Sequence, residues 1–379
     1  MALLSKNKFK ELANTRSNYC ISIYIPTNRE GDNQKAVIRL KNQLAEIEAQ
    51  LYNLGLKRNE VADYIEPVNK LLNDSTLWRH LSDSLVIFRS AEDFNYTTLP
   101  LDVSELSLVS DRYYLLPLLN MFTDNDTFYL LTLSQNKNKL YQATKNKITE
   151  LITEDVVPEK IEDSVGRDVK QKSLQYRSGQ SQGGLGLFHG KGEGKDDKKK
   201  EIIKYLKDVD KGINELIETT NAPLVVASVD YIFSLFKETS TYKNIYPTPV
   251  LGNYDDKDVL LVHEKACDVL EPWFERERRK SKEKYHSNSN KIVSGMSELY
   301  KAAIAGSIET LFVEKGEFVW GKAEPDRAKI QVHESKEALD NCLLDVVARQ
   351  TLLKGGTVFL EEPDKMPGQN SPANAILRY

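Results

Sequence analysis

The sequence predicts an α/β protein of three domains, each a mixed sheet packed with helices. Three observations predict it. Apolar residues recur at helical spacing in several segments, short strongly apolar runs of strand length stand between those segments, and one glycine-rich polar stretch interrupts the pattern near the middle. At 379 residues the chain exceeds one ordinary core, and domains of roughly 100–150 residues are the natural division.

The first domain, residues 1–122, opens with a short helix and the strand Tyr19–Pro26 (YCISIYIP), in which apolar and polar positions alternate. Val37, Leu40, Leu44, Ile47, Leu51 and Leu54 then mark a long amphipathic helix. A helix over Val61–Leu72 and strands at Ser84–Phe88, Tyr96–Leu99 and Tyr113–Leu118 complete it.

The second domain, residues 123–290, begins with the strand Thr127–Leu133 (TFYLLTL), paired with Lys139–Ala143. Residues 166–194 are too glycine-rich and polar to hold a core. A helix resumes order with Ile202, Ile203, Leu206, Val209, Ile213, Leu216 and Ile217 on one face. Pro223–Val229 (PLVVASV) is the continuous apolar run that buried parallel strands use. Asp258–Lys284 reads as one long helix, apolar first and highly charged later. The third domain, residues 291–379, alternates a helix at Ser294–Ile304, a strand at Glu309–Val313, a helix at Glu337–Leu353, and strands at Thr357–Leu360 and Ala375–Tyr379.

Composition narrows the function. A net charge of −4 excludes a polycation, yet basic residues cluster locally. Lys191, Lys195, Lys198, Lys199 and Lys200 open one basic stretch, and Arg276, Arg278, Arg279 and Lys280 open another. Each reads either as a solvated helix face or as a nucleic-acid contact. No apolar run approaches the ~20 residues of a membrane span, and MALLSKNKFKEL lacks a secretory core, so a cytoplasmic protein without membrane association is expected. Cys20, Cys267 and Cys342 are far apart and in no metal-ligand spacing, as expected of reduced buried thiols.

Familiar catalytic signatures are missing. Gly179 and Gly184 have P-loop separation, but Leu185 stands where the lysine belongs. GxGxxG does not occur, and GQSQG (Gly179–Gly183) matches GxSxG in letters but stands in a polar glycine-rich stretch and not at a strand-to-helix elbow. His80, His189, His263, His286 and His333 include no HExxH or His pair at i, i+4. The sequence therefore calls for no cofactor and no metal, and it points away from an enzyme. What remains is the loop, where Gly179, Gly183, Gly184, Gly186, Gly190, Gly192 and Gly194 crowd together ahead of a lysine-bearing helix. Glycine lets backbone approach a ligand closely but loses the most entropy on ordering.

The order of these features resembles the archaeo-eukaryotic class-I peptide-chain release factors and their relative Pelota, and more closely the divergent bacterial branch of that superfamily. YCISIYIP looks like the start of the first domain. RSGQSQGGLGLF sits where release factors carry their GGQ loop, followed by DDKKKEIIKYLKDVDKGINELI. PLVVASVDYIFSLFKE looks like the central strand and helix, LYKAAIAGSIETLFVEKGEFVWG like the opening of the third domain, and QNSPANAILRY like its closing strand. The resemblance implies a release-factor/Pelota-like three-domain fold, with a C-terminal α/β/α domain similar to kink-turn RNA-binding ribosomal proteins.

The departures shape the expected function. Ser178–Gly179–Gln180 keeps the glutamine but loses the first glycine, and Gly183–Gly184–Leu185, with Gly186 after it, keeps the glycines but loses the glutamine. Neither register is GGQ, and VIRLKNQL stands where a stop-codon motif would. The resemblance thus implies a ribosome-associated factor occupying the A site in rescue, quality control or hibernation, without hydrolysis. Its partners would be the ribosome and rRNA, with an elongation-factor-like GTPase as a possible escort. Tyr176, Phe188 and His189 are stacking candidates. The alternative is a hydrolase of peptidyl-tRNA or RNA, with Gln180 as candidate catalytic residue and Glu162 and Asp168 as nearby acids.

Overall fold

Alternating residues of the first strand, β1 (Cys20–Pro26), enter two different cores. Ile21, Ile23 and Ile25 meet the apolar face of helix Gln34–Asn53 (Leu40, Leu44, Ile47, Leu51) and that of helix Arg58–Leu72 (Val61, Ile65, Val68). Cys20 and Tyr24 face the other way, into a core shared with Phe88, Tyr113, Leu115, Leu344 and Val347. The alternation in YCISIYIP suggests a half-exposed strand, but Ser22 is also buried, its Oγ accepting the Tyr114 N–H at 2.9 Å. A hydroxyl satisfied by backbone costs little to bury.

The computed structural model describes residues 5–28, 33–79, 81–123, 127–153, 156–165, 193–217, 222–287 and 289–379. They fall into two compact units, Met1–Asp124 with Arg276–Tyr379, and Asn125–Glu275. The fold class is α/β, with several sheets packed against helices.

In the first unit β1 joins β2 (Ser84–Arg89), β3 (Phe94–Leu99) and β4 (Leu106–Ser110) in an antiparallel sheet of order β3-β2-β1-β4. The expected strand Tyr113–Leu118 does not form. β4 takes its place beside β1, and Leu116–Leu118 is a single 3₁₀ turn. Pro117 has no N–H to give a ladder, and the apolar run is buried as a connection instead.

Asn125–Glu275 holds β5 (Phe128–Leu133), β6 (Asn138–Thr144), β7 (Lys147–Glu150), β8 (Leu224–Ser228) and β9 (Val250–Leu251), in the order β7-β6-β5-β8-β9. β5, β8 and β9 run parallel, and β6 and β7 are antiparallel additions. Helices Glu193–Leu216 and Asp230–Thr239 cover one face through Ile202, Tyr205, Leu206, Val209, Ile232 and Phe236. Helix Val259–Phe274 covers the other through Val262, Ala266 and Leu270. Gly212 sits where the long helix crosses Val156, since a Cβ there would stand 2.4 Å from the Val156 carbonyl oxygen.

The rest of the first unit contains β10 (Ile292–Val293), β11 (Ile308–Glu314), β12 (Trp320–Glu324), β13 (Lys329–His333), β14 (Asn341–Cys342), β15 (Thr357–Glu361) and β16 (Ala373–Leu377). One sheet has the order β10-β16-β11-β15, and a smaller one the order β13-β12-β14. One expected helix divides and another starts late. Asp258–Lys284 is two helices, ending at Phe274 and restarting at Arg276, with Pro272 withholding a donor at the junction. The helix expected from Glu337 starts at Leu343, because the Asp340 carboxylate closes a turn on the Glu337 N–H and Leu339 adopts a left-handed φ of 61°.

Candidate functional site

Ser178, Gly179, Gln180, Gly183, Gly184, Leu185, Gly186 and Lys191 lie outside the described residues, as do Asp168, Tyr176, Phe188 and His189. What the structure supplies is the frame that carries this segment, bounded by the end of helix Ile161–Val165 and the start of helix Glu193–Leu216. Lys195 lies in the opening turns of the latter.

The long helix presents two opposed faces. One packs on the sheet through Ile202, Tyr205, Leu206, Val209 and Ile213. The other carries Lys200, Lys204, Lys207 and Lys211, four, three and four residues apart, which at 3.6 residues per turn align as one stripe about 16 Å long. All four are exposed, as are Lys198 and Lys199. Lys200 Nζ lies 3.3 Å from Asp197, and Lys204 Nζ donates to the Ser164 carbonyl at 2.8 Å, tying the helix to residues just before the loop. By density the sequence pointed to Lys198, Lys199 and Lys200, but not to Lys204, Lys207 and Lys211. The stripe was legible only after asking which face the apolar residues occupy.

The second basic cluster divides. Glu361 is 1% exposed at the end of β15, and helix Arg276–Ser287 closes over it with Lys282 Nζ at 2.8 Å and Arg278 Nε at 3.6 Å. The Arg278 guanidinium also sits 5.3 Å from the Phe359 ring centroid. Lys284 Nζ reaches Glu309 at 2.5 Å. Arg276 lies 3.7 Å and Lys280 2.9 Å from Glu277, and Arg279 is exposed. Half of this density therefore holds carboxylates of the C-terminal sheet, and only Arg279 and Lys280 are exposed.

At the carboxyl ends of β5, β8 and β9 lies a pocket of about 290 Å³, lined by Leu133, Ser134, Gln135, Asn136, Val229, Ile232, Gly252, Asn253 and Asp255. Ligands of parallel sheets gather at such ends. Among the described residues of this lining Asp255 is the one titratable group, so they supply no acid–base pair and no cation for a phosphate. Cys267, the one cysteine of this unit, lies away from the pocket lining and is inert, since burial pushes it to about 12 although His263 Nε2 lies 3.6 Å from its sulfur. No described helix is long and apolar enough to cross a membrane.

Residues 128–272 match the model of bacterial archaeo-eukaryotic release factor family 7. This segment resembles a release-factor domain. It spans β5 to helix Val259–Phe274 and contains the glycine-rich loop, the lysine stripe and the carboxyl-end pocket. The match agrees with the resemblance to the release-factor/Pelota superfamily that the segment order gives. Similar solved structures include an archaeal translation termination factor, aRF1, at 15% identity over 99% of this chain and 98% of that one, TM-score 0.24. Pelota of Archaeoglobus fulgidus is 13% identical over 78% of this chain and 79% of that one, TM-score 0.34. Dom34 of S. cerevisiae, described as a translation termination-like factor, is 10% identical over 76% and 73%, TM-score 0.33. No curated protein matches the chain.

Proposed function

We propose that this chain is a ribosome-associated translation factor that occupies the A site, in rescue, quality control or hibernation, without hydrolysing peptidyl-tRNA. One observation carries the reading: inside a matched release-factor domain, the segment at the GGQ position reads SGQSQGGL. A release-factor loop needs two freely rotating glycines followed by a glutamine that positions water. Ser178 places a Cβ in one register, and Leu185 offers no hydrogen bond in the other.

The lysine stripe supports an RNA-facing role, because affinity for folded RNA comes largely from neutralising phosphates and the net charge of −4 must be overcome locally. An elongation-factor-like GTPase escort belongs to the same reading. A second reading, hydrolysis of peptidyl-tRNA or RNA, is kept by Gln180, which follows Gly179 in the first register.

A peptide-release assay on ribosomes loaded with peptidyl-tRNA separates the two. The blocking factor releases no more peptide than buffer, and Gln180→Ala changes nothing. Release by the wild-type chain that Gln180→Ala abolishes would establish the hydrolase.

A further inference from the structure

His333, Glu337 and Asp340 converge in the turn between β13 and β14. Both ends of that turn lie beside Trp320, which pairs with His333 on one side and Cys342 on the other, so the residues at its two feet are forced together. Asp340 Oδ2 lies 2.7 Å from His333 Nδ1 and accepts the Glu337 N–H at 2.9 Å. Glu337 Oε2 lies 3.5 Å from the same ring nitrogen. One donor atom from each of the three residues falls within 4.8 Å of the others.

Two features make this more than a hydrogen-bonded turn. The Asp340 side chain is 0% and that of His333 7% exposed, and Asp340 Oδ1 is buried without a hydrogen-bond partner among the described residues. A buried carboxylate beside a second carboxylate requires a positive group. Lys336, whose ammonium feels the Asp340 charge, makes its direct contacts elsewhere: its Nζ lies 5.4 Å from the Trp320 ring centroid and donates to Gln50 Oε1 at 3.1 Å. The turn is also held in place. Leu339 keeps a φ of 61°, unfavourable for a branched side chain, while its carbonyl accepts from Ser110 Oγ at 3.4 Å and Asn341 Nδ2 donates to Asp111 at 2.7 Å.

We propose that His333, Glu337 and Asp340 form a binding site for a divalent transition-metal ion of the zinc class. One imidazole and two carboxylates with a fourth position left to solvent is a donor set that Zn²⁺ takes, whereas calcium and magnesium select oxygen donors alone. With metal–ligand bonds of about 2.0–2.2 Å, tetrahedral donors stand roughly 3.3–3.5 Å apart. Nδ1 and Glu337 Oε2 already do. Asp340 binds through its orphaned Oδ1, and Oδ2 stays on the Glu337 amide as the contact that orients the carboxylate. Nδ1 binds as the free base, so its proton passes to solvent as the ion enters. The bound ion closes the small sheet β12–β14 at its open end. This site is independent of the ribosome reading.

The test is calorimetric titration of EDTA-treated full-length chain with zinc sulfate at pH 7.5, beside Glu337→Gln. Glu337 is 59% exposed, so the variant should fold, which equal metal-free melting temperatures verify. The expected result is a saturable site of one ion per chain, weakened at least tenfold by Glu337→Gln, with a zinc-induced rise in melting temperature that the variant lacks. Absence of saturable binding, or equal binding by both chains, overturns the proposal.

Discussion

Asp345 Oδ1 accepts the backbone N–H of Leu115 at 2.8 Å, joining positions 230 residues apart inside a fully buried site. Asp345 stands one turn from Arg349 on helix Leu343–Leu353, with Oδ2 3.9 Å from Nη1, and Arg349 is 0% exposed. The bond secures the Tyr113–Leu119 connection, which would otherwise bury backbone donors without partners.

Asp345→Ala should therefore cost about 3–5 kcal/mol by urea denaturation, because it strips the acceptor from Leu115 and leaves the Arg349 cation alone. Replacing both residues, Asp345→Asn with Arg349→Met, should cost less than Asp345→Ala alone. Burial raises the Asp345 carboxyl above its ordinary value, partly offset by Arg349 and the Leu115 and Leu116 amides. A raised native value means stability present below the ordinary carboxylate range and lost as pH rises through the native one. The margin of wild type over Asp345→Asn should shrink accordingly as pH rises above the ordinary carboxylate range. A loss under 1 kcal/mol for Asp345→Ala would contradict this reading.

Glu361 makes the basic helix a structural clasp. Lys282→Ala should lower stability by about 1–3 kcal/mol, since it removes the 2.8 Å partner of a buried carboxylate. Arg279→Ala and Lys280→Ala should stay within about 0.5 kcal/mol. Thermal denaturation of the three variants checks the division, and equal effects would dissolve it.

Gly212→Ala sets two effects against each other. Alanine favours a helix interior by about 1 kcal/mol, but its Cβ would meet the Val156 carbonyl at 2.4 Å and Val157 Cγ2 at 2.8 Å. Backbone cannot yield as a flexible side chain can, so a net loss of about 1–3 kcal/mol is expected. A rise in melting temperature would show that the helix can lift off Val156.

Burial pushes Cys20, Cys267 and Cys342 up to about 12 from an ordinary 9. Such groups hold their protons more tightly in the native state, so their contribution is complete below pH 9 and eroded as pH rises from 9 towards 12. Native chain at pH 8 should leave all three thiols unreacted with a disulfide reagent on the timescale that denatured chain titrates fully. Rapid native labelling would contradict the burial.

Much of this architecture was legible in the sequence because its cues are local. The apolar stripe from Ile202 to Ile217 and the run PLVVASV each have one period and one solution. Failures came where long-range partners decide. Tyr113–Leu118 has strand-like content, but β4 occupies the edge of β1, and Glu337 opens a turn because Asp340 reaches back to it. Likewise, nothing in the basic stretch from Arg276 reveals that Arg278 and Lys282 answer a carboxylate some eighty residues later, nor does H-x₃-E-x₂-D stand out until β13 and β14 bring its ends together. The family resemblance came from segment order, which survives where side chains have changed.

The lysine stripe gives the ribosome reading a graded test. Reversing Lys207 and Lys211, both exposed, should weaken ribosome affinity and lower the slope of log affinity against log salt by about 0.7–0.9 for each phosphate no longer neutralised. An unchanged slope would remove this face from the interface.

The central claim, that the chain occupies the ribosome, is tested most directly by co-sedimentation of full-length chain with ribosomes from stationary-phase cells, in gradients of rising salt. The account predicts chain in the ribosomal fractions at low salt, released progressively as salt increases. Ribosomes sedimenting free of the chain at low salt, from growing and starved cells alike, would contradict it.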